Sequence, residues 1–201
     1  METVRIFGNV ILLLTLSVCF GCSSSDNHEE EVFDDSVFKY EWALIEDEQV
    51  LTLKFGLADF SGVLYQGSPL VESEMVRGTW SYIVASNTLN MRVNRVSTGQ
   101  IKTADYEVIE ISKYSMRLRN KQLNKEEHYL KIVDKHEMKV GESFDIEYPQ
   151  DNSFSLQDCK SSNPDILTID QNGHVVASDI GIVFVTLRTN VGSMIVKVSV
   201  I

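Results

Sequence analysis

The chain has 201 residues, a formal net charge of -11 and 3 cysteines. That length suits one or two domains, each with a modest core. The acidic balance argues against a nucleic-acid partner, since a duplex is itself a dense row of negative charge, and against broad electrostatic adhesion to anionic lipid.

The chain opens on a segment of targeting type. Arg5 and the α-amino group supply a positive start, and residues 10–18 read VILLLTLSV. The apolar region is shorter than the roughly 20 residues of a membrane-spanning helix. It ends in Cys19-Phe20-Gly21-Cys22, where Gly21 gives a peptidase room to cut before Cys22. This arrangement resembles a bacterial lipoprotein signal, with Cys19 and Phe20 standing where such signals usually carry leucine and a small residue. The resemblance implies acylation of Cys22 and anchoring to the outer membrane; the alternative is an ordinary secretory signal cut nearby. Residues 23–31, SSSDNHEEE, are polar and acidic and predict a solvated tether within residues 23–36. They resemble the acidic export signal of surface-exposed lipoproteins in one group of Gram-negative gut anaerobes, or else form a plain linker. With Cys19 removed and Cys22 acylated, only Cys159 remains, and the mature chain has no internal disulfide.

Residues 37–134 predict a succession of short strands. The runs are 38–45, 50–56 (Leu51, Leu53 and Phe55 on one face), 60–65, and 76–84 (Val76, Trp80, Tyr82 and Val84 together). They continue with 89–93, 101–111, 116–119 and 128–133. Within 101–111 the apolar positions change face after Val108, which predicts a bulge. About eight antiparallel strands joined by short turns favour an up-and-down barrel, because closure removes exposed edges. Trp42, the strand LTLKFG, Gly78-Thr79-Trp80 and the turn Asn87-Thr88 into Leu89-Asn90-Met91 resemble, in that order, lipocalin-like domains of lipoproteins from the same bacterial group. The resemblance implies a small barrel for an apolar or sugar-like ligand; a barrel filled by its own side chains is the alternative.

Residues 135–201 read as a second all-β region. Val140-Gly141-Glu142, Ser161-Ser162-Asn163-Pro164 and the strand 166–170 are followed by an Asn172-Gly173 hairpin, whose two residues accept positive φ. Val175-Val176-Ala177, a bend at Gly181 and the alternating valines to Val200 complete the run. The segment resembles a group-two bacterial immunoglobulin-like (Big) domain, which implies a small Greek-key sandwich serving as a spacer or adhesive arm. Cys159 stands where that family usually has tryptophan and reads as a small core hydrophobe.

No motif for phosphate, dinucleotide, nucleophile or zinc chemistry is present, and no cofactor or metal site is expected. His28, His128, His136 and His174 lie in a tether, a strand, a linker and a hairpin, without a second ligand at useful spacing. Asp170-Gln171-Asn172-Gly173 is a fragment of a calcium loop that a hairpin turn explains. Arg117, Arg119, Lys121 and Lys125 form a basic run that either meets an anionic glycan or faces outward on a hairpin. Trp42, Tyr65, Trp80 and Tyr82 are the candidate ligand-binding aromatics, with core packing as the alternative. The sequence thus predicts a non-enzymatic surface lipoprotein that binds a glycan or small apolar ligand, or adheres to a surface protein. The other readings are an assembly subunit of a surface complex and, last, an enzyme built on carboxylates such as Asp105, Glu107 and Glu110.

Overall fold

Period-two alternation turns into strand along most of the described length. The computed structural model describes residues 38–147 and 155–201. The signal segment, Cys22 and the tether lie outside the described residues. Eight strands form the first part: β1 (Glu41–Glu46), β2 (Gln49–Phe55), β3 (Asp59–Gln66), β4 (Val71–Ile83), β5 (Thr88–Arg95), β6 (Ile101–Ile111), β7 (Ser115–Asn120) and β8 (Lys125–Met138). Each pairs antiparallel with the next, and β1 pairs also with β8, so the sheet closes into a barrel without edges. The expected bulge lies in β6, where the register to β7 shifts between Val108 and Glu110.

Alternate residues point inward. Trp42, Leu53, Leu89, Met116 and Leu118 are all nearly or fully buried in the barrel core. One expected inward residue departs: Val84 has left the strand for a 3-10 turn, Val84–Ser86, and stands exposed. There the chain must reverse, and Asn87 supplies the left-handed residue at φ 48° that brings it into β5.

The rest of the chain adds β9 (Ser143–Asp145), β10 (Leu156–Ser161), β11 (Leu167–Ile169), β12 (His174–Ala177), β13 (Gly181–Thr189) and β14 (Gly192–Val200). β11, β12 and β9 make a three-stranded sheet, while β14, β13 and β10 continue from β8. Leu167, Val175 and Ala177 of the small sheet share one core with Val185, Val196 and Val198 of the larger. Cys159 is partly buried against that core.

β8 belongs to both parts. Its first half closes the barrel against β1, and its second half pairs in parallel with β14, from Ile132 opposite Ile195 to Met138 opposite Val200. The expected boundary between residues 134 and 135 therefore falls inside a strand. His136, expected in a linker, is in β8, its ring stacked on Phe144 at 3.8 Å. The 170–174 turn is also built differently. Only Gly173 takes positive φ, at 86°, and the Asp170 carboxylate accepts the Asn172 and His174 amides. An Asx-type turn thus replaces the two-residue hairpin.

A second apolar layer lies on the outer face of the barrel. Ala43, Val50 and Tyr65 pack there against Phe184 and Ile195 of the larger C-terminal sheet. Phe184 meets Tyr65 edge-on at 5.3 Å, and Lys135 pairs with Glu41 at 2.6 Å. A shared strand and a buried seam couple the two parts, and the described residues belong to one compact unit. Heat unfolding is accordingly expected as one transition, with calorimetric and van't Hoff enthalpies equal. Two resolved calorimetric peaks would contradict this coupling.

Candidate functional site

The barrel has unlike ends. At the end where β1 begins, Phe38 sits against Phe55, Trp80 and Tyr82 at ring separations of 6.0, 5.2 and 5.6 Å. The Trp80 indole donates to the Gly56 carbonyl at 3.2 Å, which ties this aromatic plug to the β2–β3 turn. At the opposite end the interior opens into a cavity of about 240 Å³. Leu44, Leu51, Leu53, Phe60, Val76 and Met91 are among its apolar lining residues, with Tyr106 and Tyr129 on the wall. Glu46, Gln49, Glu74 and Arg95 complete the lining. A second recess of about 460 Å³ shares Val93, Arg95 and Tyr106 with it and adds Asn120 and Glu127. An apolar lining with a few polar groups is the usual make-up of a small-molecule site, and the first cavity lies just below the roughly 300 Å³ at which such sites usually begin. It suits a short chain or a single ring.

The polar groups are held by specific partners. Arg95 lies 3.5 Å from the Glu74 carboxylate, which also accepts the Ser97 hydroxyl at 2.7 Å. Lys125 pairs with Glu46 at 2.5 Å. Tyr129, fully inside the barrel, donates its hydroxyl to Glu127 at 2.6 Å. Burial, then the neighbouring Glu127 charge, pushes the Tyr106 phenol up to about 12, so it stays a protonated donor.

Glu127 is half-buried, and this desolvation raises its carboxyl above the ordinary 4.5, against the opposing hydrogen bond from Tyr129. A raised acid binds its proton more tightly folded than unfolded. Stability is therefore fully present below about 4.5 and falls as pH rises through the raised folded value. Glu127→Gln is expected to raise the melting temperature modestly at pH 8 and to leave it unchanged at pH 4. Thermal scans at the two pH values check this, and an equal shift at both would count against it.

The four candidate aromatics do not converge. Trp42 is fully buried in the barrel core, and Trp80 and Tyr82 belong to the plug. Tyr65 is on the outer face of the barrel, in the seam, where it accepts a hydrogen bond from Lys197 at 2.6 Å. None of the four lines the cavity; Phe60, Tyr106 and Tyr129 do. Their signal in the sequence was parity. Glu46 follows Leu44, Glu74 precedes Val76, Arg95 follows Val93 and Glu127 precedes Tyr129, each two residues away and so on the same inward face.

The basic run has counter-ions. Arg117 pairs with Glu110 and Glu126, both at 3.2 Å, and Arg119 pairs with Glu107 at 2.9 Å and Glu126 at 2.6 Å. Lys121 donates to the Thr88 hydroxyl at 2.7 Å. This cross-strand ladder holds the Glu126 carboxyl below the ordinary range, chiefly through the hydrogen bond from Arg119. It also engages Glu107 and Glu110, two of the three carboxylates considered for catalysis. Among the described residues no three His, Cys, Asp or Glu side chains are grouped to hold a metal ion. No helix among them is long and apolar enough to cross a membrane.

No family model matches the chain, and no curated protein matches it. The NMR structure of a protein from Bacteroides uniformis ATCC 8492 is similar with a TM-score of 0.37 and 18% identity, over 49% of this chain and 91% of that one.

Proposed function

We propose that this protein is a non-enzymatic, lipid-anchored protein of the outer membrane, exposed at the cell surface. Its lipocalin-like barrel binds a small apolar ligand, and its immunoglobulin-like C-terminal region is a supporting arm. The observation that carries the binding reading is the cavity at one end of the barrel, apolar within and polar at Glu46, Gln49, Glu74 and Arg95. The paired basic ladder weighs against the glycan alternative, because its arginines already have carboxylate partners. The arm reading is supported by two small sheets around a common core and by the Ser161-Ser162-Asn163-Pro164 and valine-strand pattern. The anchor reading is supported by the apolar segment that ends at Cys22 and the acidic stretch after it.

Two measurements test the proposal. Intact mass of the chain extracted from membranes should show fatty acyl chains on Cys22; an unmodified Cys22 would refute the anchor. Titration calorimetry with short alkyl, aryl and sugar probes should give saturable binding to the apolar ones. No heat from any apolar probe would refute the barrel's role.

A further inference from the structure

We infer that the ligand of the barrel carries an uncharged head that both donates and accepts hydrogen bonds, such as an amide, and that Gln49 reads it at the mouth of the cavity. This inference rests on the ligand-binding reading above and names the head of that ligand. The charged residues of the cavity lining are Glu46, Glu74 and Arg95. Each already has a partner of opposite sign: Glu74 and Arg95 pair with each other, and Glu46 pairs with Lys125. The two phenols on the wall are engaged as well, Tyr129 with Glu127 at 2.6 Å and Tyr106 with Asn120 and Glu127.

Gln49 is the polar lining residue left over. Its side-chain amide has no hydrogen-bond partner among the described residues. Gln49 begins β2, opposite Glu46 of β1, and its side chain is exposed. Leu51 and Leu53 follow it on the same face of the strand, and both line the cavity. A tail packed against these leucines brings its head to the Gln49 amide, whose carbonyl accepts and whose NH2 donates. A carboxylate head there stands near Glu46 and Glu74, and an ammonium head stands near Arg95. Either gives up hydration without gaining an unclaimed counter-ion. An uncharged head gives up less and gains the bonds of Gln49.

The test is calorimetric titration of the full chain at pH 7 with octanamide, octanoate and octylamine, each below its micellar concentration. Octanamide is expected to bind about tenfold more tightly than either ion, the range of one or two neutral hydrogen bonds. In Gln49→Leu that preference should shrink about tenfold, with folding checked by circular dichroism. Either ion binding as tightly as octanamide overturns the inference, while leaving the barrel a binding module. A preference for octanamide that survives in Gln49→Leu also overturns it. Absence of binding by all three overturns the binding reading and this inference together. The comparison of heads on the unaltered chain decides the matter even if the variant fails to fold.

Discussion

Trp42→Ala is expected to destabilise the protein by about 3–5 kcal/mol, the range for deleting a fully buried large aromatic side chain. Trp42 is 0% exposed, on β1 between Leu53 of β2 and Lys131 of β8, at the seam where the barrel closes. Its indole N–H has no hydrogen-bond partner among the described residues, so its contribution is volume and apolar area. For a domain of this size the melting temperature should fall by roughly 6–20 °C. Trp42→Phe keeps a ring and removes the unpartnered donor, so it should cost clearly less than the alanine variant. Urea unfolding of both variants checks this through the midpoint at unchanged slope. Equal losses for the two would mean that the indole N–H, not the ring volume, matters.

Gly78→Ala is expected to lower stability by about 3 kcal/mol or more, although it adds one methyl group. A Cβ at Gly78 would stand 2.0 Å from the Arg92 carbonyl oxygen and 2.6 Å from the Phe60 ring. The first obstacle is backbone of the neighbouring strand β5, which cannot give way without breaking the ladder between Gly78 and Val93. The second is a ring that lines the cavity. A folded variant should therefore also lose binding of apolar probes. A melting temperature within a degree or two of the parent would contradict the close approach.

Much of the barrel was legible in the chain. Leu51, Leu53 and Phe55 face inward as alternation predicts, and the eight strands follow in the expected order because each turn is short and local. The face change after Val108 was readable for the same reason, since a bulge is a local insertion that shifts parity. The candidate site was less legible. Alternation marks Trp42, Tyr65, Trp80 and Tyr82 as apolar-face residues, but it does not say which end of a strand meets a plug and which meets an opening. Tyr65 has a buried outer face only because β13 and β14 cover it. A polar residue on inward parity near a strand end, such as Glu74 or Glu127, was the better guide to the cavity.

The sequence by itself determined the all-β character, the number of barrel strands, the bulge in β6 and the turns at Asn87 and Asn163, because these depend on period, parity and backbone preferences within a few residues. Tertiary structure alone decided that β8 runs on to pair with β14, and that one barrel end is stoppered by Phe38 while the other stays open. Those outcomes depend on contacts between residues far apart in the chain. Which side chains fill a space or leave it empty depends on how many of them converge there, and no local pattern records that number.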